Sequence, residues 1–227
     1  MSCYEKGKEQ EKILRSKKLL GNDYDNFKNK RIAIIGAGGT GNFITQLISK
    51  YPLKEIIIFD GDKIEKSNLE RQVIFSKEDI GKNKAKILAK KLDSLNNIKY
   101  EETFIDNKNI KELIKEEFDL IIDCTDNIST RNLLNKNCKI RQNWIHTAVI
   151  KNIGQVFFVK KEGPFIEKLI KNKKELKCVD EGVLNSAVAI IGAIAVSMIV
   201  DFFTKERIEE KMVRINLNTF EILKIKI

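Results

Sequence analysis

Between residues 36 and 126 the chain spaces out groups suited to holding a nucleotide. Gly36, Gly38 and Gly41 in IIGAGGTGN fit G-x-G-x-x-G between an apolar run and a helical pattern. Such glycines permit a tight turn, bring backbone close to a phosphate, and aim amide groups from a positive helix end. Asp60 ends the next apolar run, 24 residues after Gly36, where a carboxylate would bond a ribose hydroxyl. This much fits a nicotinamide or flavin protein. The segment SNLERQ (67–72), Lys84 and DCTDN (123–127) fit phosphate chemistry better. Asn68 supplies a neutral donor, Arg71 and Lys84 two cations for a triphosphate, and Asp126 a hard oxygen ligand for Mg²⁺. Hydride transfer has less support, because the single histidine, His146, sits inside an apolar run and reads as a structural core residue.

To act together, these residues need an element pattern that gathers them. RIAIIG (31–36), EIIIFD (55–60), IKYEETF (98–104), DLIIDCTD (119–126), NWIHTAV (143–149) and GQVFFVK (154–160) read as strands. Helical patterns over 42–50, 76–96, 110–118 and 128–141 separate them, and Ser76 and Asp79 mark the expected start of the second. Residues 5–20 suit a short amphipathic helix, and 211–227 reads as a hairpin. Alternation over the first 150 residues predicts an α/β fold, a doubly wound, mostly parallel sheet with helices on both faces and a C-terminal antiparallel hairpin. In that arrangement the carboxyl ends of the strands open into one crevice.

Composition narrows the class. At 227 residues, 42% hydrophobic and 33% charged, the chain suits one large globular domain with a substantial core. The net charge of +10 comes from lysines mixed with acids along the whole chain, without the aromatic-and-basic interleaving of a nucleic-acid module. Gly182 to Val200 carries no charge and is long enough for a membrane span. Its Asn185, Ser186 and Ser197, its many small residues and its isolation predict a buried helix, and no membrane partner is expected. Four scattered cysteines without a CxxC pair predict a reducing, cytoplasmic setting. Cys124 and Cys138 read as structural.

The quoted motifs together resemble the ThiF/MoeB/HesA family, relatives of ubiquitin-activating enzymes. They are GAGGTG (36–41), DGD (60–62), SNLERQ (67–72), IGKNKAK (80–86), DCTDN with Arg131, and KCVDEGVL (177–184), in the family's order. The resemblance implies a Rossmann-like fold and a reaction in which a carboxylate attacks the α-phosphate of Mg²⁺-bound ATP, forming an acyl-adenylate and releasing pyrophosphate. It implies that Gly39, Asp60, Asn68, Arg71, Lys84, Asp126 and Asn127 line the ATP site, with Asp62 and Gln72 inside the same motifs. Arg71 and Lys84 are expected to neutralise phosphate charge, and Asp126 to hold the metal. Arg15 corresponds to the family's arginine that reaches into the partner subunit's site, and Cys178 to a cysteine of thioester or persulfide chemistry, with Lys171, Lys173, Lys174 and Lys177 nearby.

The resemblance also sets expectations about what differs. Phe165 and Lys168 stand where a first zinc-binding CxxC pair would fall, and the second would lie beyond Ile227, so no zinc site is predicted. The expected organisation is one adenylation domain, 1–227: an N-terminal helical segment (1–30), a nucleotide-binding core (31–160), a crossover loop (161–182), and a buried helix with the hairpin (183–227). A homodimer is expected. The substrate is either the C-terminal glycine of a ubiquitin-like sulfur carrier or a small carboxylate. The compact length and missing zinc ligands resemble the branch that activates a pyridinol carboxylate in assembly of the guanylylpyridinol cofactor of [Fe]-hydrogenase. An NAD-binding oxidoreductase and a non-catalytic nucleotide-binding module are the alternatives.

Overall fold

The structure, a computed structural model, describes residues 15–92, 97–138, 143–159, 182–205 and 211–226. Eight strands form one sheet: β1 (Arg31–Ile35), β2 (Glu55–Phe59), β3 (Asn97–Glu101), β4 (Leu120–Asp123), β5 (Trp144–Ile150), β6 (Ile153–Val159), β7 (Lys211–Asn216) and β8 (Glu221–Lys226). Their order is β3-β2-β1-β4-β5-β6-β7-β8. The first five are mutually parallel and β6, β7 and β8 are added antiparallel. The order reverses between β1 and β4, which is the switch point at which an open α/β sheet forms its crevice.

The period-two alternation of side chains splits each central strand between two cores. Ile32 and Ile34 of β1, Ile56 and Ile58 of β2 and Ile122 of β4 face one core; Ala33, Ile35, Ile57, Phe59 and Ile121 face the other. Helices α1 (Gly39–Ile48), α2 (Lys84–Lys91) and α5 (Asn185–Thr204) cover the first face. Helices α3 (Ile110–Lys115) and α4 (Ile128–Cys138) cover the second. Residues 15–20 are helical and lead into a 3-10 turn, Gly21–Phe27, whose buried Phe27 joins the first core with the buried Tyr24 ring beside it.

Two differences from the sequence-based expectation have physical causes. Residues 76–96 do not form one long helix. Gly81 takes φ +85° and separates a 3-10 turn, Lys77–Asp79, from α2. Ser76 and Asp79 exchange capping hydrogen bonds on that turn, while the true helix start is Asn83, whose side chain accepts from the Lys86 amide at 2.9 Å. Likewise α1 starts at Gly39 rather than Asn42, so the glycine turn is itself the helix's first turn. Among the described residues, α5 is long and apolar enough to cross a membrane, with half of that stretch buried. Gly154 and Gly192 show its tight packing: a β-carbon would meet Ile191 of α5 at 2.2 Å and Phe43 of α1 at 2.8 Å.

Candidate active site

A cleft opens over the carboxyl ends of β1, β2, β4 and β5, lined by the glycine turn, Asp60, Asp62, Arg71, Gln72, Lys84 and the segment Cys124–Asn127. The glycines have separate reasons. Gly36 takes φ +100°, and a β-carbon there would stand 2.9 Å from the Cys124 carbonyl oxygen. At Gly41 it would stand 1.9 Å from the Gly36 oxygen. At Gly38 it would meet nothing within 4 Å, because this residue borders the open cleft. Gly38 has no side chain to cap α1, and among the described residues the first amides of the helix have neither an intrahelical nor a side-chain acceptor. Gly39 lies under Val188 of α5, whose Cγ1 would be 2.8 Å from an added β-carbon.

Asp60 is buried, and each carboxylate oxygen holds a backbone amide: Oδ2 from Ala37 at 2.6 Å, Oδ1 from Asp62 at 2.7 Å. It therefore ties the end of β2 to the glycine turn, and a ribose hydroxyl would be a further donor to the same oxygens. Burial pushes its carboxyl above the ordinary value, opposed by those two amides and by Lys84. Lys84, at the first position of α2, is nearly buried and reaches the exposed Asp62 carboxylate at 3.0 Å.

The SNLERQ segment divides its labour. Asn68 is buried and does not line the cleft; its Oδ1 accepts from the Glu65 amide at 3.1 Å within a capping box around a 3-10 turn, Lys66–Asn68. That turn orients Arg71 and Gln72. The Arg71 guanidinium donates to the Ser67 carbonyl at 2.9 Å and borders the cleft, a quarter exposed. Gln72 is buried beside it, and its Oε1 has no hydrogen-bond partner among the described residues.

On the opposite wall, Asp126 and Asn127 are exposed at the cleft mouth. The Asn127 side chain accepts from Ser129 and from the Thr130 amide, capping α4. Below them, Asp123 accepts from the Thr125 amide at 3.0 Å and hydroxyl at 2.7 Å, and lies 2.6 Å from His146 Nδ1. Burial alone would raise Asp123, yet His146, Arg131 and Thr125 hold it below the ordinary carboxylate range. Arg131 donates to the carbonyls of Thr125 and Thr147. Cys124 is buried, and burial together with Asp123 pushes its thiol up to about 12, a structural rather than reactive thiol.

The structure thus brings Gly36, Gly38, Gly39, Asp60, Asp62, Arg71, Gln72, Lys84, Asp126 and Asn127 to one cleft, and places Gly41 and Asn68 behind it. Arg15 is exposed on the N-terminal helical turn. Cys178, Cys138's side chain and residues 161–181 of the crossover lie outside the described residues. Sequence reading missed Phe104, which lies over Gly61 at the cleft's edge, 58% exposed, and missed the pairing of Asp123 with His146. An isolated Phe in a polar run was the only signal for the first; β4 and β5 must be known as neighbours to see the second.

Comparison with known proteins gives the family and supports the fold. The chain matches the ThiF family over residues 11–227. It is 30% identical over 174 residues to the SAMP-activating enzyme E1 of Haloferax volcanii, covering 73% of this chain and 64% of that protein. It is 31% identical over 190 residues to the molybdopterin-synthase adenylyltransferase of Haemophilus influenzae, covering 80% and 77%. The fold superposes on the crystal structure of Escherichia coli MccB with ATP at a TM-score of 0.71 and 23% identity, over 90% of this chain and 65% of that one. The chain therefore spans just under two thirds of two of these relatives. With the family match covering nearly its whole length, the chain belongs to the ThiF family.

Proposed function

We propose that this protein is an ATP-dependent adenylyltransferase that activates a carboxylate. The observation that supports this most is the meeting of three phosphate-suited groups in one cleft: the uncapped start of α1 at Gly38–Gly39, the Lys84 ammonium and the Arg71 guanidinium. A binding module for adenosine alone needs none of this positive charge.

In the reaction a substrate carboxylate oxygen attacks the α-phosphorus of ATP. The bond to the β-phosphate oxygen breaks, and acyl-adenylate and pyrophosphate form. The attacking group is already anionic, so no base is needed; the work is positioning and charge neutralisation. Gly38 leaves room for phosphate oxygens against the helix amides. Lys84, released from Asp62, and Arg71 take up charge on the phosphates. Gln72 offers a buried amide oxygen, unpartnered among the described residues, to an N–H or O–H donor of the nucleotide. Asp126 would hold Mg²⁺, which supplies further neutralising charge, and its exposed carboxylate fits a hard cation that keeps most of its waters. Asn68 serves by shaping the Arg71 loop.

Two substrate classes belong to this reading: the C-terminus of a ubiquitin-like carrier, which the names of the Haloferax volcanii and Haemophilus influenzae relatives support, and a small carboxylate such as a pyridinol, which rests on the resemblance of the sequence motifs alone. The homodimer rests on the family resemblance, and exposed apolar side chains such as Leu47 of α1 and Ile190 of α5 are available for an interface to cover. Arg15 would then reach the neighbouring site, and Cys178 would act after adenylation. A cytoplasmic setting fits ATP consumption. ATP–pyrophosphate exchange tests the reading: separate reactions with glycine-ended carriers and with small carboxylates should show exchange with one class. ATP binding without exchange in any reaction would place the substrate outside both classes, and NAD binding without ATP binding would overturn the proposal.

A further inference from the structure

His146 is the chain's single histidine, and the phosphate chemistry proposed above makes no use of it. It points from β5 toward β4, 2% exposed, against an Asp123 that is fully buried. Its ring stacks on Phe157 of β6, with centroids 5.2 Å apart and planes 13° from parallel, and meets Trp144 edge-on at 6.1 Å. The stack fixes the ring plane and thereby aims Nδ1 at Asp123 Oδ2. An ionised carboxylate has no proton to give, so Nδ1 carries the hydrogen and donates.

The other oxygen of Asp123 does separate work. Oδ1 accepts both the amide and the hydroxyl of Thr125, two residues on. The Thr125 carbonyl is held from the far side by Arg131, and the Asp123 carbonyl by the Thr147 hydroxyl at 3.0 Å. Every polar group of Thr125 is thus committed, and the next residue is Asp126 at the cleft mouth. The carboxylate plane of Asp123 is the common element, because a rotation that satisfied Oδ2 differently would carry Oδ1 away from Thr125.

We propose that His146 is a positioning residue of the cleft: by holding one oxygen of Asp123 it orients the other onto Thr125, and so sets where Asp126 stands. Asp126's role in nucleotide binding rests on the adenylation reading; the effect on Thr125 does not.

Three variants test this. His146→Leu fills much of the volume but leaves Asp123 Oδ2 buried without its donor, which a carboxylate tolerates poorly. His146→Asn places an amide nitrogen near the position of Nδ1 and restores the donor. His146→Gln carries its amide one bond further and replaces His146→Leu should that variant not fold. Amide exchange and chemical shifts by NMR should show the Thr125 amide exchanging roughly tenfold faster or more in His146→Leu, with β1 amides unchanged and His146→Asn near wild type. Mg·ATP affinity by calorimetry should fall about tenfold in His146→Leu, recover in His146→Asn, and show no further loss when His146→Leu is added to Asp126→Ala. A purely packing role would lower thermal stability, leave the Thr125 amide unmoved, and give equal losses in both backgrounds; either of the last two results overturns the proposal. A wild-type protein that binds no Mg·ATP would refute the adenylation reading alone, and the Thr125 amide would still decide the role of His146.

Discussion

Two alanine substitutions in the glycine turn, at Gly41 and at Gly38, should have opposite consequences. At Gly41 the new β-carbon would lie 1.9 Å from the Gly36 carbonyl oxygen, where ordinary contact begins at 3.4 Å. The turn must therefore open by about 1.5 Å, and since the obstacle is backbone, no side chain can swing aside. Overpacking of this kind costs about 1–3 kcal/mol, with a rigid obstacle favouring the upper end. For a chain of this size, each kcal/mol lowers Tm by about 2–4 °C, so Gly41→Ala should melt roughly 2–12 °C lower. Gly38→Ala has φ −71° and open space around the new carbon, so Tm should stay within about 2 °C of wild type. Its methyl would instead occupy the space left for a phosphate, raising the Kd for Mg·ATP at least tenfold, about 1.4 kcal/mol. Differential scanning calorimetry and isothermal titration on the two proteins separate the effects. A Gly41→Ala protein that melts with wild type would refute the steric argument. A Gly38→Ala protein with unchanged affinity would show that the phosphates lie elsewhere.

The same contacts carry further expectations. Lys84→Met should lower pyrophosphate exchange about 100-fold or more yet barely alter the melting temperature, because the Asp62 it abandons is more than half exposed. Cys124, with its thiol pushed up to about 12, should resist a thiol reagent at pH 8 in the folded protein and react once denaturant is added. Asp79 tests linkage: burial would raise its carboxyl, but Lys91 and Ser76 hold it down at about 2, against 3.8 ordinarily. A lowered folded value stabilises above the unfolded value and is lost as pH falls through the folded one. Asp79→Asn should therefore cost roughly 1–2 kcal/mol at pH 7 in urea unfolding, and the gap to wild type should close between about pH 4 and pH 2. A gap that persists at pH 2 would exclude the charge as its source.

The parallel core was legible because its signal is local. Runs such as RIAIIG and EIIIFD are apolar on both faces, as strands covered by helices on both sides must be, and the intervening helical patterns leave little choice of topology. The break at Gly81 was less legible: most of the residues around it in SKEDIGKNKAK suit a helix, and the chain's return past Ile64, whose amide donates to the Lys82 carbonyl at 2.9 Å, bends it into a turn.

The site divides along the same line. Residue type and spacing alone determined that Gly36, Gly38, Asp60, Arg71, Lys84 and Asp126 could serve a nucleotide, since those roles depend on charge, donor number and the absence of a side chain. What each does within the cleft was decided by tertiary contacts. Asn68 was turned inward to cap its own loop, and Asp60 was given two backbone amides before any ligand. Lys84 was paired with Asp62, and His146 found Asp123, a residue 23 positions earlier. Hydrogen bonds of that kind are satisfied across strands, and a linear sequence records which donors and acceptors exist but not which of them the sheet brings within 3 Å.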